Sequence, residues 1–290
     1  MAVKGRLGGR WHGHLALWVI VVGIYGCGVP TSQTGRHLRI QWEAGTVTSY
    51  QLESTADSPD IGGKPVHEIL SGLETVRVGS VDANGNGTVE VSLIWQGQNS
   101  NGNSSLFQLK VATDGRVLDN PDGQAYALPQ FYQVFPLLPP GSVQVGDVWS
   151  ETYDLPDPLL GAPYHVFIDA TYARNETLNG TDAVVIQARL TSVFDKTVAY
   201  TKLWGAVPQG YPADETIREI GTKADQVTFW FDPTHQELIK STGTEQLEYV
   251  AVFASPSTGA EFGRNNVIWT QSVTFANTLP PSGAGRHTYR

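Results

Sequence analysis

Cysteine and methionine each occur once in 290 residues, and lysine and arginine together number only 19. The single thiol, Cys27, rules out an intramolecular disulfide framework, so any fold must rest on packing and hydrogen bonds. The shortage of bases against 28 acids gives a formal net charge of −9 at pH 7. Three of those bases, Lys4, Arg6 and Arg10, fall in the first 26 residues, which hold no acid. The rest of the chain is therefore more acidic than the total suggests. Proteins hold phosphate backbones by displacing counterions with Lys and Arg, so this charge argues against nucleic acid as a partner. Long apolar runs are missing too. The longest, LALWVIVVGIYG at 15–26, falls short of the ~20 residues a membrane-spanning helix needs. What the chain has in quantity is turn formers, 31 Gly and 17 Pro, with 40% hydrophobic residues. That mixture describes a globular body with many reversals.

A charged start followed by a short apolar run is the pattern of a secretory signal, and 1–26 is assigned to one. The stretch Ile24-Tyr25-Gly26-Cys27 resembles the lipobox of bacterial lipoproteins, with Tyr25 where that family usually has Ala or Ser. The resemblance implies that Cys27 receives a diacylglycerol, that cleavage leaves it as the acylated first residue, and that palmitate-like chains anchor the product in an envelope membrane. Two or more acyl chains anchor stably where one does not. By the same resemblance, Gly28 in place of Asp points to the outer membrane if the host has two. Residues 27–37 then form the lipidated Cys and a small, polar tether.

Beyond the tether, period-2 alternation dominates. Leu38, Ile40 and Trp42 alternate, as do Val89, Val91, Leu93 and Trp95, and Tyr164, Val166, Ile168, Ala170 and Tyr172. Val184, Ile186, Ala188 and Leu190 follow, then Leu247, Tyr249, Ala251 and Phe253, and finally Val267, Trp269, Val273 and Phe275 around Gln271. Apolar side chains on one face and polar ones on the other are what an antiparallel sheet with a solvated side requires. The expected fold class is all-β and mostly antiparallel, with one or two short helices. ETIREIGTKA at 215–224 is the first helix candidate, and PVHEILSGLE at 65–74 is either a helical turn or the start of a strand. Asn86-Gly87-Thr88 recurs as Asn179-Gly180-Thr181, and Tyr50 has a counterpart in Trp149. These echoes suggest two related β-meander halves, 38–126 and 149–277, with an insertion from Tyr200 to Lys223 in the second. The proline-rich connector 127–148 lies between them and 278–290 forms a disordered tail. FP-x-LPP followed by VxVGDxW in that connector is similar to a stretch in uncharacterised bacterial lipoproteins with a repeated β meander, a resemblance that implies no activity.

Asp82, Asn84, Asn86 and Gly87 match the first, third, fifth and sixth positions of a calcium loop. The twelfth position, where a bidentate acid belongs, is Leu93. Asn-Gly between alternating runs is a hairpin signal, so 82–87 is expected to be a turn and not a metal site. Five histidines remain outside the signal: His37, His67, His165, His235 and His287. His67-Glu68 begins an H-E-x-x-H pattern, but Ser71 stands at its second His. His165 is expected to face solvent beside Asp169, and His235 to occupy a hairpin turn without a role. No G-x-S-x-G elbow and no phosphate-binding glycine loop occurs. The paired acids Asp154 with Asp157 and Asp214 with Glu215 are candidates for carboxylate chemistry, although among 28 acids such pairs are expected on a solvated face. The expectation is therefore no catalytic residue, no metal and no cofactor. The remaining signal is aromatic. Tyr200, Trp204 and Tyr211 share the Gly- and Pro-punctuated loop YTKLWGAVPQGYPADE, and aromatics in a long loop suit stacking on sugars or gripping apolar ligands. The expected role is a non-enzymatic, membrane-anchored envelope lipoprotein that binds an envelope protein or small ligand or serves in an envelope assembly. One alternative is a carbohydrate- or lipid-binding protein using the Trp204 loop, and another is a carboxylate-based hydrolase.

Overall fold

The computed structural model describes residues 35–59, 65–96, 104–121, 135–155, 164–201 and 212–278. They form thirteen strands, eleven of them in one antiparallel sheet. The first run comprises β2 (Val47–Pro59), β3 (Pro65–Val81), β4 (Gly87–Gln96), β5 (Ser104–Val111) and β6 (Val117–Asp119). The second comprises β8 (Val148–Leu155), β9 (Tyr164–Leu178), β10 (Thr181–Ala199), β11 (Thr216–Asp232), β12 (Glu237–Ser255) and β13 (Ala260–Asn277). Within each run, chain neighbours are sheet neighbours. The runs join where β13 pairs with β2, from Thr270 opposite Asp57 to Asn277 opposite Tyr50. A separate two-stranded ladder links β1 (Arg36–His37) to β7 (Ser142–Val143).

The sheet curls until its edge strands approach each other. The Arg116 guanidinium, just before β6, lies 5.7 Å from the ring centre of Tyr153 on β8. Curling turns one face inward, and the alternating apolar residues of both runs meet there in a single core. Val89, Val91, Phe107, Leu109, Ile168, Tyr172, Val184, Ile186, Phe229 and Phe275 are all fully or almost fully buried in it.

One end of the curl is closed by irregular chain. Leu38, Ile40, Phe135, Leu137 and Leu138 are buried in the core although none lies in a strand. Ile40 N–H donates to the Thr113 carbonyl at 2.7 Å, Gln41 N–H to that of Gln236 at 3.1 Å, and Leu138 N–H to that of Asp114 at 2.9 Å. These bonds tie both segments to the turns between β5 and β6 and between β11 and β12. Trp42 meets Phe135 edge-on with centroids 5.8 Å apart. The alternation at 38–42 thus marks a plug, not the strand expected from it. Gly115 shows how tight this closure is. Its φ is +87°, and a Cβ there would sit 2.1 Å from the Pro136 carbonyl oxygen.

One local expectation is corrected and one alternative decided. Residues 216–224 belong to β11, so the first helix candidate is a strand, while 65–74 begin β3, the strand alternative for that stretch. Asn179 and Gly180 do take positive φ, +52° and +84°, as a two-residue hairpin turn needs. In the loop at 82–86, however, the positive φ falls on Gly85, and Gly87 already begins β4. Asp82 organises that turn. Its Oδ1 accepts the N–H groups of Asn84 and Asn86 at 2.8 and 3.0 Å, and Oδ2 accepts the Asn86 side-chain amide at 3.1 Å. The Lys110 ammonium lies 2.9 Å from the same Oδ2. Those donors hold the Asp82 carboxyl far below its usual range, with Lys110 contributing most. Both oxygens serve the turn.

Candidate functional site

Beyond the apolar core, the inner face of β10–β13 changes character. The residues preceding Val227 and Phe229 on that face are Asp225 and Lys223, since a strand's faces alternate. Cross-strand pairing sets Asp225 opposite Glu245, and Glu245 opposite Gln271. Lys223 Nζ donates to Asp225 Oδ2 at 2.8 Å and lies 3.3 Å from Glu245 Oε2. Gln271 Nε2 donates to the hydroxyl of Ser54, on β2, at 2.6 Å. Lys223, Asp225, Glu245, Gln271 and Ser54 are all buried. A polar floor therefore crosses four adjacent strands inside the curl.

The floor is incompletely satisfied. Asp225 Oδ1, Glu245 Oε1 and Gln271 Oε1 are buried and accept no hydrogen bond. A buried acceptor without a donor costs about 1–3 kcal/mol. Burial raises the pKa of both carboxyls, and Lys223 pulls each the other way without cancelling the rise. Continuing outward along the same face come half-buried Leu247 and Trp269, then Phe194, Tyr249 and Val267. The Phe194 and Tyr249 rings lie 6.2 Å apart across Gly221, the residue opposite both in the ladders. A Cβ at Gly221 would come within 2.2 Å of the Glu248 carbonyl oxygen, so only glycine leaves room for this crossing. Beyond it, Lys196 and Glu219 pair at 2.9 Å. An apolar wall thus stands between two ionic levels.

A second buried acid lies in the first run. Glu74 is fully inaccessible, faces Tyr50 across the β2–β3 ladder, and neither of its oxygens accepts a hydrogen bond. Burial alone pushes its pKa up to about 8, which keeps it protonated at neutral pH. Tyr50 is raised far above the ordinary phenol value, first by burial and then by Glu237 and Glu74.

The turn between β11 and β12 gathers a third group. Asp232 Oδ1 accepts the N–H groups of Thr234 and His235 at 2.7 and 3.0 Å, and its Oδ2 lies 2.6 Å from His235 Nδ1. One ligand-capable atom from each of Asp232, His235 and Glu237 lies within 4.8 Å of the other two. His235 sits in the expected turn, but there it belongs to this cluster.

The other residues singled out in the sequence fall apart. Tyr200 follows the last residue of β10, half-buried, its N–H donating to the Glu215 carbonyl at 2.9 Å. Cys27, Trp204, Tyr211, Asp157 and His287 lie outside the described residues. Asp154 is 2.6 Å from His165 Nδ1, so the exposed partner of His165 is Asp154, while Asp169 accepts the Ser150 hydroxyl. Asp57 and His67 make a matching exposed pair at 2.7 Å in the first run. Asp214 accepts from Ser255 Oγ and Ser257 N–H and holds the turn after β12, whereas neighbouring Glu215 is buried with no hydrogen-bond partner for its carboxylate. The two acids of that pair have separate surroundings.

Lys223, Asp225 and Glu245 escaped the sequence reading. Extending the period-2 frame backward from Val227 and from Leu247 lands on them, and Gln271 already stood out as the polar break in its series. No protein-family model matches the chain, and no curated protein matches it. Among solved structures, the chain is similar to the hypothetical lipoprotein YmcC from Escherichia coli, at 15% identity, over 81% of this chain and 85% of that one, with a TM-score of 0.27.

Proposed function

We propose that this chain is a lipid-anchored protein of the cell envelope that works by binding a ligand or partner and not by catalysis. The observation that carries the binding reading is the inner face of β10–β13, where half-buried apolar side chains stand over a buried polar floor that includes acceptors without donors. Ligand sites combine a mostly apolar wall with a few fixed polar groups in this way. The anchor rests on Cys27 and the apolar run before it. Cys27→Ala should abolish the mass added by acylation and move the protein from the detergent to the aqueous phase in a partition experiment. A Cys27 protein that carries no added mass and already stays in the aqueous phase sinks the anchor.

The finer reading places a carbohydrate or lipid against Tyr200, Trp204 and Tyr211. It is favoured by connectivity, because their loop joins β10 to β11, the strands that contribute Phe194, Lys196, Lys223 and Asp225 to the inner face. Titrating the full-length protein in detergent with soluble glycans and short-chain lipids should quench tryptophan fluorescence. Trp204→Ala should remove most of that quench, and a quench of unchanged amplitude would move the ligand elsewhere.

A further inference from the structure

We propose that the β11–β12 turn is a zinc site built from Asp232, His235 and Glu237. The motif Asp232-Pro233-Thr234-His235-Gln236-Glu237 brings three potential ligands onto one tight reversal, with their ligand-capable atoms within 4.8 Å of one another. A tetrahedral ion with bonds of ~2.0–2.1 Å holds its ligand atoms roughly 3.3 Å apart. The three side chains therefore need only small rotamer adjustments. Asp232 Oδ2 and His235 Nδ1 already lie 2.6 Å apart, and seating a metal between them opens the pair by roughly 0.7 Å.

The surroundings fix the ligands in advance. Asp232 is buried, and its other oxygen is held by the Thr234 and His235 N–H groups, the outer support that orients a ligating carboxylate. Gln236 takes a φ of +57°, and its carbonyl is held by the Gln41 N–H, so the plug segment clamps the turn from outside. A hollow of about 60 Å³ opens beside the cluster, lined by Trp42, Tyr50, His235 and Glu237. That is room for a water as fourth ligand. Glu74, fully buried with neither oxygen partnered, lies opposite Tyr50 in the β2–β3 ladder. One imidazole with two carboxylates suits a borderline ion such as zinc better than calcium or magnesium, which prefer all-oxygen sets.

The test uses full-length protein in detergent, stripped with EDTA and titrated with Zn²⁺ in a calorimeter. Expected are one Zn²⁺ per chain, a rise in Tm, and d–d absorption of a four-coordinate N/O site when Co²⁺ replaces it. His235→Gln and Glu237→Gln should each weaken binding at least tenfold, with circular dichroism unchanged. His67→Ala combined with His165→Ala should leave it intact, since those exposed His–Asp pairs are the competing surface sites. Glu237→Gln keeps the Asp232 and His235 turn contacts, so it remains informative if His235→Gln fails to fold. Absence of a saturable site, binding that survives Glu237→Gln, or equal affinity for Ca²⁺ or Mg²⁺ would each overturn the assignment.

Discussion

Glu74→Gln should remove a large pH dependence of stability, so that its stability relative to wild type rises steadily from pH 5 to pH 8. The folded pKa of Glu74, about 8, lies above its ordinary value of 4.5. Below pH 4.5 the carboxyl is protonated in both states and costs nothing. Between 4.5 and 8 the unfolded chain releases the proton while the fold retains it. Stability then falls as pH rises, by about 1.4 kcal/mol per unit. The loss reaches about 3 kcal/mol at pH 7 and levels off near 5 kcal/mol above pH 8. Glutamine has the same shape and no titration. Its own buried amide shifts the whole curve but not the slope, so the slope is the quantity to read. Asp225 and Glu245 titrate in both proteins alike and cancel in the difference. Urea unfolding at pH 5, 7 and 9 supplies the measurement. Parallel stability curves for variant and wild type would show that Glu74 is hydrated or paired after all.

Lys223→Met is the second large effect. It removes the cation that contacts both Asp225 and Glu245 among the described residues and leaves two carboxyls buried against each other. Breaking a buried ionic group by deleting one partner costs about 3–5 kcal/mol, because the remaining charge has no compensation. Adding Asp225→Asn and Glu245→Gln to Lys223→Met should recover most of that loss, since the trio is then neutral throughout. The single variant should also be least impaired at acidic pH, where its carboxyls are protonated. A Lys223→Met protein within 1 kcal/mol of wild type, roughly the worth of an exposed pair, would mean the trio is effectively solvated.

How much of this was legible in the sequence depends on which face a residue occupies. The runs at 89–95, 164–172, 184–190 and 267–275 were readable as strands because their inner positions are mostly apolar and most of their outer ones polar. The stretch 215–224 misled for the opposite reason. Ile217 and Ile220 are spaced like a helix face, yet three residues apart on a strand puts them on opposite sides. Ile217 is buried and Ile220 is 39% exposed. With Glu219, Lys223 and Asp225 facing inward, the hydrophobic pattern there is erased by the polar interior itself. The plug at 38–42 imitated a strand because alternate residues of an extended segment reach the core whether or not it pairs. The pairing of β13 with β2 left no local trace at all, since it depends on residues more than two hundred positions apart. The zinc cluster was half visible. His235 was placed in its turn correctly, but that Asp232 and Glu237 converge on it depends on the positive φ at Gln236, which composition does not announce.

The pairing of β13 with β2 also sets a timetable. Among the described strands, the one that joins the second run to the first comes last in chain order, and its partner on one side is among the first. Until Ala260–Asn277 emerges, β2 and β12 each present a bare backbone margin where the finished sheet is continuous. Loop closure over such a distance is slow and leaves the incomplete molecule open to wrong partners. Until that strand is in place, a holding factor, or dilution, would keep both margins from pairing wrongly.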